Sequence, residues 1–318
     1  MIESAGMPLD VCVVGEINPD LILYGLPQRL KPEQEYLIEG FRLTLGSSSA
    51  IFAHNLSVLG TRVGMISKIG ADPLGKTSFD SLEKAGVDLT HVLAASSGTS
   101  TGLTVILAQP EQRFILTYPG TMFELSYEDL DLDYAFSARH LHLSSYFLHK
   151  ALRPRIADLF RAAKAKGLTT SLDTNDDPDD KWDGELTSVL PFVDILFPNE
   201  REAKKIAATD DLEQAIRKLS QVCGSVVVKL GAKGAIARKG SDEWRHDATT
   251  VTAVDSVGAG DSFDAGYIHR FLQGATPQKC LEYAGIAGAL STTRQGGTEA
   301  FKDRGSVEQF FRNHLKKS

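Results

Sequence analysis

The sequence predicts an α/β protein: a doubly wound, mostly parallel sheet with helices on both faces and a small accessory β-sheet. Three observations predict it. Short apolar runs alternate with helical patterns along most of the 318 residues, two β-rich segments interrupt this alternation, and no repeat, charge block or linker divides the chain. We therefore expect a single domain over residues 1–318.

The first apolar run is Val11 to Val14, which ends at Gly15 and is typical of a buried parallel strand. Ala50, Ala53 and Leu56 then recur at helical spacing. The predicted elements that follow the first strand are helix 50–59, strand 63–66, helix 78–85, strand 141–143, helix 155–166, strands 169–172 and 193–197, helices 200–207 and 211–221, and strands 225–230 and 249–254.

Residues 18–45 and 98–120 have a different pattern, in which apolar and polar residues alternate over short stretches that prolines and glycines interrupt. Two such insertions, widely separated in the chain, can pair with each other. The sequence predicts that they form one accessory sheet, which would act as a lid over the site.

The charges limit the partners of the protein. Its 34 basic and 41 acidic residues give a net charge of −7, which argues against a nucleic-acid binder. No run approaches the roughly 18 apolar residues of a membrane span, and the N-terminus does not resemble a secretion signal. The three cysteines, Cys12, Cys223 and Cys280, are widely spaced among apolar neighbours, so we expect a cytoplasmic protein without disulfides.

The segment 255–263, Asp-Ser-Val-Gly-Ala-Gly-Asp-Ser-Phe, precedes a helical pattern that ends at Gly274. Its glycines would lie at a helix N-terminus, where free backbone N–H groups and the helix dipole attract anions, so Gly258, Ala259 and Gly260 predict a phosphate cradle. Asp261 in the first turn is either a residue that favours the helix dipole or a base that accepts the proton of an attacking hydroxyl. The segment fits neither a P-loop nor a dinucleotide fingerprint.

Segment 255–263 resembles the D-T-V-G-A-G-D-S-F signature of the ribokinase-like (PfkB) carbohydrate kinases, with Ser256 in place of threonine. Further motifs of that family occur in the same order from about residue 10 to 300. They are the first sugar-binding turn at 15–20, the glycine-rich turn at 46–50, N-x-x-E at 199–202, the nucleotide-side strand and turn at 229–234, and the C-terminal cation loop at 293–296.

The resemblance implies a set of sugar-binding residues at the carboxyl ends of the strands: Asn18, Asp20, Gly46, Ser47 and Ile51. Ile51 stands where many members carry a sugar-contacting asparagine. Isoleucine cannot hydrogen-bond a hydroxyl, and one lost polar contact shifts selectivity by ~1–3 kcal/mol, so this departure argues against ribose specificity. By composition alone, Ile51 fits a buried helix residue equally well.

The resemblance also implies the cofactor sites. ATP would be bordered by Asn199, Lys229, Gly231, Gly234 and Gly285, the last standing where several members have a base-contacting asparagine. Mg²⁺ would be held largely through water by Glu202 and Asp173. A K⁺ site, which several members lack, would consist of Asp255 and carbonyls near Ser291, Arg294 and Gly296.

The implied activity is ATP-dependent transfer of the γ-phosphoryl group to a primary hydroxyl of a small sugar, either ketose-like or ribose-like, with Asp261 as the base. Two alternatives stay open at this point. A nucleoside kinase shares the motifs, and Ile51, Phe52, Phe114 and Tyr118 are candidate walls for a base. A non-catalytic sugar sensor shares the fold but would not need Asp261 or the glycines. Accessory sheets of this family often pair between subunits, which implies a homodimer.

Overall fold

The computed structural model describes residues 9–96, 98–109, 113–182 and 185–315. The strands are β1 Val11–Val14, β2 Pro19–Tyr24, β3 Gly40–Leu45, β4 Val63–Ile69, β5 Asp88–Ala94, β6 Leu103–Ala108, β7 Arg113–Tyr118, β8 His140–Ser144, β9 Thr169–Asp173, β10 Ile195–Leu196, β11 Val226–Lys229, β12 Ala235–Lys239 and β13 Asp242–His246. The α-helices are α1 Ser48–Val58, α2 Pro73–Ala85, α3 Leu132–Phe136, α4 Ile156–Ala165, α5 Glu185–Val189, α6 Glu200–Ile206, α7 Leu212–Leu219, α8 Ala259–Leu272, α9 Pro277–Thr292 and α10 Arg304–Leu315.

Nine strands form the main sheet in the order β13-β12-β11-β10-β9-β8-β1-β4-β5. The seven strands from β11 to β5 run parallel, whereas β12 and β13 form an antiparallel hairpin at one edge. Strand β1 lies between β8 and β4, and alternate side chains enter two cores: Cys12 and Val14 pack under α4 and α7, Val11 and Val13 under α1 and α8. A parallel sheet covered on both faces is the predicted doubly wound architecture.

Strand β5 and the helices α3, α5 and α9 were not predicted, and two further features differ from the sequence expectation. Residues 249–254 are a loop instead of a strand, and Val254 is 58% exposed while its N–H donates to the Thr292 carbonyl at 2.7 Å. The backbone of this segment therefore bonds to the end of α9 and not to a strand of the sheet. Conversely, the β12–β13 hairpin was not predicted, because charged residues such as Arg238 and Glu243 hide its strand pattern at the sheet edge.

Strands β3, β2, β6 and β7 form a second, four-stranded sheet in that order, built from residues of the two insertions. One face carries Asp20, Thr44, Thr104 and Thr117, which pair across the strands. Ile22 and Ile106 on the same face pack on Val257, and Tyr24 donates to Asp255 at 3.2 Å. The polar face of this accessory sheet therefore lies over the glycine loop, residues 255–260.

The opposite face of the accessory sheet is apolar. Its side chains alternate with those of the polar face, as the cross-strand pairs Leu23–Phe41, Leu107–Phe114 and Leu103–Tyr118 show. Phe41 is 71% exposed and Leu116 is 57% exposed. Within the described ranges, the helices are all too short or too polar to cross a bilayer.

Candidate active site

The glycine loop ends in the N-terminus of α8. Gly258 is the N-cap residue, with φ of 72°, and no side chain caps the helix there. A Cβ atom at Gly258 would lie 2.5 Å from the Cα atom of Gly297, so the position requires glycine both for its backbone conformation and for space. The Ala259 N–H donates to the Ser256 carbonyl at 3.3 Å. The Gly260 N–H and the positive end of the helix dipole are therefore what the first turn offers to an anion.

Asp261 lies in the first turn of α8 and is 9% exposed. Burial, and after it the charge of Asp173, raise the pKa of Asp261 to about 6. The charge of Lys229, and after it the Ser48 hydroxyl at the start of α1, act on this pKa in the opposite direction. Asp261 is therefore ionised in most molecules at neutral pH, the state in which it can accept a proton.

Lys229 ends β11 and places its ammonium group beside the glycine loop. Its Nζ atom lies 2.6 Å from Asp173 Oδ2 and 3.1 Å from Asp264 Oδ2, and 3.5 Å from where a Gly260 Cβ would be. Burial alone would lower the pKa of Lys229, but the neighbouring carboxylates, first Asp173, hold it above its usual value. Lys229 thus carries a positive charge beside the glycine loop.

Asn199 and Glu202 form a capping box at the start of α6: the Asn199 backbone N–H donates to Glu202 at 2.8 Å, and the Glu202 N–H donates to the Asn199 side chain at 2.9 Å. Burial and the charge of Asp173 raise the pKa of Glu202 to about 7. In the described part of the chain, no three His, Cys, Asp or Glu side chains are grouped so that they could hold a metal ion directly.

The residues for which the resemblance implies sugar binding lie at the end of β1, on β2 and at the start of α1. We call this part of the site the acceptor side. Asn18 is fully buried; its Nδ2 lies 3.5 Å from Thr104 Oγ1, and its Oδ1 has no partner within the protein. Burial, followed by the charge of Asp261, raises the pKa of Asp20 to about 7. A Cβ atom at Gly46 would overlap the Asp20 carboxylate, so glycine is required there. Ser47 caps α1 and donates to the Glu16 carbonyl at 2.8 Å, which holds this turn against the first.

Ile51 lies against the glycine loop. Its side chain is 2% exposed and packs on the backbone of the glycine loop: a Cβ at Gly258 would lie 3.2 Å from Ile51 Cγ2, and one at Gly297 2.6 Å from Cδ1. The buried-residue interpretation of Ile51 thus describes its environment, and its contact with a sugar stays a prediction.

A cleft of about 570 Å³ extends from Gly260 toward the β12–β13 hairpin. Lys229, Gly231, Gly234 and Gly285 line it, whereas Asn199 is absent from its walls and instead caps α6. Several residues that line the cleft were not predicted as site residues, because they lie in the hairpin, in the loop after it and on the apolar face of α8. They include His246, Thr249, Val251, Ala253 and Phe263.

The loop implied as a K⁺ site is tied together by Asp255. Its carboxylate accepts hydrogen bonds from Tyr24, from the Val257 N–H at 3.0 Å and from the Gly296 N–H at 2.9 Å. Ser291 is fully buried, and its hydroxyl lies 3.4 Å from the Val257 carbonyl, whereas Arg294 is exposed. The same carboxylate that would attract a cation thus already joins the accessory sheet, the glycine loop and residue 296.

The sequence analysis also missed Glu16, which lies beneath the acceptor side. Its carboxylate accepts hydrogen bonds from Ser49 Oγ at 2.7 Å, Ser145 Oγ at 2.8 Å and the Ser49 N–H at 3.3 Å, and lies 3.1 Å from His149 Nε2. The Glu16 and His149 side chains are at most 1% exposed. A charged residue directly after a buried strand was the signal available in the sequence, but its partners are remote in the chain.

Comparisons with known proteins agree on one family. The profile of the pfkB family carbohydrate kinases matches residues 8–304. The ATP-dependent ribose-1-phosphate kinase of Halopiger xanaduensis is 30% identical over 291 residues, 91% of this chain and 94% of that protein. Fructoselysine 6-kinase of Shigella flexneri is 33% identical over 256 residues, 77% of this chain and 89% of that protein.

Among solved structures, a ribokinase II from E. coli in complex with ATP and Mg²⁺ superposes with a TM-score of 0.84 and 25% identity, covering 96% of this chain and 100% of that chain. The likeness confirms the predicted ribokinase-like fold, and the profile match confirms the resemblance drawn from the motifs. The chain therefore belongs to the pfkB family of carbohydrate kinases and is a phosphotransferase that acts on a sugar hydroxyl.

Proposed function

We propose that this protein transfers the γ-phosphoryl group of ATP to a primary hydroxyl of a small sugar bound between Asp20 and Asp261. The observation that carries the proposal is the buried carboxylate of Asp261 beside an uncapped, glycine-lined helix N-terminus. A base next to an anion site serves phosphoryl transfer, because the incoming hydroxyl must lose its proton where the transferred group is held.

In this reaction Asp261 accepts the proton of the sugar hydroxyl. The N–H groups at the start of α8 and the ammonium group of Lys229 stabilise negative charge on the phosphoryl oxygens. Asp173 and Glu202 would hold Mg²⁺ through water, and the bound ion would neutralise further charge on the phosphates. The cleft from Gly260 to Gly285 accepts the nucleotide, whose base meets a mostly apolar wall.

The acceptor is a sugar and not a nucleoside. Phe114 and Tyr118, which could have walled a base, lie on the outer face of the accessory sheet, and Phe52 is buried against His142 with ring centroids 3.7 Å apart. The face over the glycine loop presents Asp20 and threonine hydroxyls instead, which suit a polyhydroxylated ligand. The relatives named for ribose 1-phosphate and fructoselysine as substrates support the same class.

Release of ADP in the presence of a panel of sugars and nucleosides tests this proposal. We expect turnover with one or more sugars and none with nucleosides, and a loss of turnover by orders of magnitude for Asp261→Asn with nucleotide binding retained. Phosphorylation of nucleosides in preference to sugars would overturn the assignment of the acceptor. Sugar binding without any ADP release would favour the alternative of a non-catalytic sugar sensor. Near-normal turnover of Asp261→Asn would refute the assignment of Asp261 as the base.

We further propose that the accessory sheet acts as the lid and pairs with a second copy of the chain. The support is its outer face, where Phe41, Leu43, Phe114, Leu116 and Tyr118 are between 43% and 71% exposed. Such a contiguous apolar face is typical of an interface. Cys12, Cys223 and Cys280 are free thiols in the interior, which supports a reducing, cytoplasmic location.

A further inference from the structure

Glu16 joins the loops that surround the acceptor side. Its carboxylate accepts hydrogen bonds from Ser49, the second residue of α1, at 2.7 Å and from Ser145, directly after β8, at 2.8 Å. Its backbone carbonyl accepts the hydroxyl proton of Ser47, the residue that caps α1, at 2.8 Å. The loops after β1, β3 and β8 are therefore tied to one residue.

Two of the serines bonded to Glu16 have an unusual backbone conformation. Ser47 has φ of 61° and Ser145 has φ of 53°, both in the left-handed region that residues with a Cβ atom rarely adopt. Such conformations cost free energy and persist only where the surrounding contacts hold them. Glu16 supplies such contacts to both serines, and Ser47 belongs to the acceptor side.

A row of polar side chains, which we call the polar chain, leads through the interior to the Glu16 carboxylate. It consists in order of Thr169, His140, Ser171, His142, Ser144 and Ser49. The hydrogen-bonding atoms of successive members lie 2.8, 2.7, 2.7, 3.3 and 3.2 Å apart. All members except Thr169, at the outer end, are at most 1% exposed, so the protein itself must satisfy their polar atoms.

The bonds of the polar chain can run in one direction only. His149 and Ser49 hold the pKa of Glu16 below its usual value despite burial, so Glu16 is a carboxylate that only accepts, and Ser49 gives it its single proton. Burial lowers the pKa of His140 to about 3 and that of His142 well below its usual value, so each ring is neutral with one N–H. Ser144 must therefore donate to Ser49, and His142 Nε2 to Ser144. Repeating this step along the chain places the N–H of His140 on Nε2 as well.

We propose that Glu16 is a positioning residue: as the acceptor at the end of the polar chain, it holds the loops of Asn18 and Ser47 in the geometry that binds the sugar. The inference rests on the proposed function, which puts the sugar beside these loops. The Asn18 carbonyl accepts the Gly46 N–H at 2.9 Å, so a shift of the loop after β1 also moves the loop after β3. Glu16 is 3% exposed and acts on the sugar through the residues that it holds.

Glu16→Gln tests this role, because glutamine keeps the size of the side chain but turns one acceptor oxygen into a donor. Oε1 accepts from Ser145 and Oε2 from Ser49, so glutamine loses one of these bonds whichever way its amide turns. We expect kcat/KM for the best sugar of the panel to fall by about 10- to 100-fold. The Kd for ATP, measured by calorimetric titration, should change by less than about threefold.

Asp194→Asn is the matched control. Asp194 is also a carboxylate with several donors, accepting from Lys164 at 2.6 Å and from the Thr170 N–H at 2.9 Å, but it precedes β10 at the opposite end of the sheet. We expect this variant to keep kcat/KM for the sugar within about twofold of the parent value. Thermal unfolding checks that both variants are folded at the temperature of the assay.

A second variant and a spectroscopic measurement do not depend on the folding of Glu16→Gln. Ser145→Ala removes one donor to Glu16 and should lower kcat/KM for the sugar by about 3- to 10-fold, again with ATP binding retained. The ¹⁵N chemical shifts of the histidine rings in the parent protein report the polar chain without any sugar. They should show the proton of His140 and of His142 on Nε2.

Several results would overturn the inference. They are an unchanged kcat/KM in Glu16→Gln or Ser145→Ala, a loss for Asp194→Asn as large as that for Glu16→Gln, equal losses of sugar kcat/KM and ATP affinity, or a proton on Nδ1 of either histidine. A parent protein that phosphorylates none of the sugars is a distinguishable outcome, since it would remove the proposed function and this inference with it.

Discussion

Glu16 allows a quantitative prediction, because its buried carboxylate joins segments that are far apart in the chain. Replacing Glu16 with alanine leaves His149 buried without its carboxylate partner. The other donors keep alternatives: Ser49 Oγ still lies 3.2 Å from Ser144 Oγ, and His149 Nε2 still lies 3.1 Å from the Ser144 carbonyl. We therefore expect the low end of the range for breaking a buried pair, about 3 kcal/mol.

For 318 residues, an unfolding entropy of about 2.1 cal/mol/K per residue converts about 3 kcal/mol into a fall in Tm of roughly 4–5 °C, measured by calorimetry at neutral pH. Asp80→Ala is the control, since Asp80 forms an exposed pair with Lys76 at 2.9 Å and should lower Tm by less than about 1 °C. Equal shifts for the two variants would refute the argument that burial makes the Glu16 contacts strong.

The same variant has a pH signature. Burial alone would raise the pKa of Glu16, but hydrogen bonding and charge from His149, with the Ser49 bond, lower it below the ordinary 4.5. A carboxylate with a depressed folded-state pKa stabilises the protein fully above its unfolded-state pKa and loses that contribution as pH falls through the folded-state value. The difference in Tm between parent and Glu16→Ala should therefore narrow below pH 4.5.

Three further predictions follow from the site and the accessory sheet. Because burial raises the pKa of Asp20 to about 7, KM for the sugar should fall as pH rises through 7, and Asp20→Asn should weaken sugar binding and abolish that dependence. Leu116→Glu on the outer face should yield monomers in light scattering, whereas an unchanged mass would contradict pairing through this sheet. Turnover should rise when K⁺ replaces Li⁺ at constant ionic strength, and Asp255→Asn should remove the rise; equal rates in both salts would argue against the cation site.

Much of the fold was predictable, because the parallel strands are continuous apolar runs and several helices end at glycines. β1 and β4 follow this pattern, and α2 ends at Gly86 with φ of 89°. The glycine loop was also predictable, since Gly258 has a positive φ and lies so close to Gly297 that other residues would not fit. Constraints of this kind act within a short segment, so they can be recognised in consecutive residues.

The remainder depends on contacts between distant segments. Glu16 and His149 are separated by more than a hundred positions, so the residues that flank each of them in the sequence do not indicate that the two pair. The packing of Ile51 on Gly297 likewise joins two segments that are far apart in the chain. The β12–β13 hairpin escapes because edge strands carry charged side chains that blur the alternation expected of a half-buried strand.

The hairpin lies at the edge of the main sheet, so the strand that borders the nucleotide cleft is held less firmly than the strand that leads into the acceptor side. Strand β1, which leads into the acceptor side, has a bonded neighbour on each side, whereas β13, which ends at His246 on the nucleotide cleft, is bonded to β12 alone. A strand at a sheet margin opens at a lower free energy than one in the interior. Widening of the cleft for nucleotide exchange would therefore displace β13 more readily than β1, whereas admission of the sugar would depend on the accessory sheet.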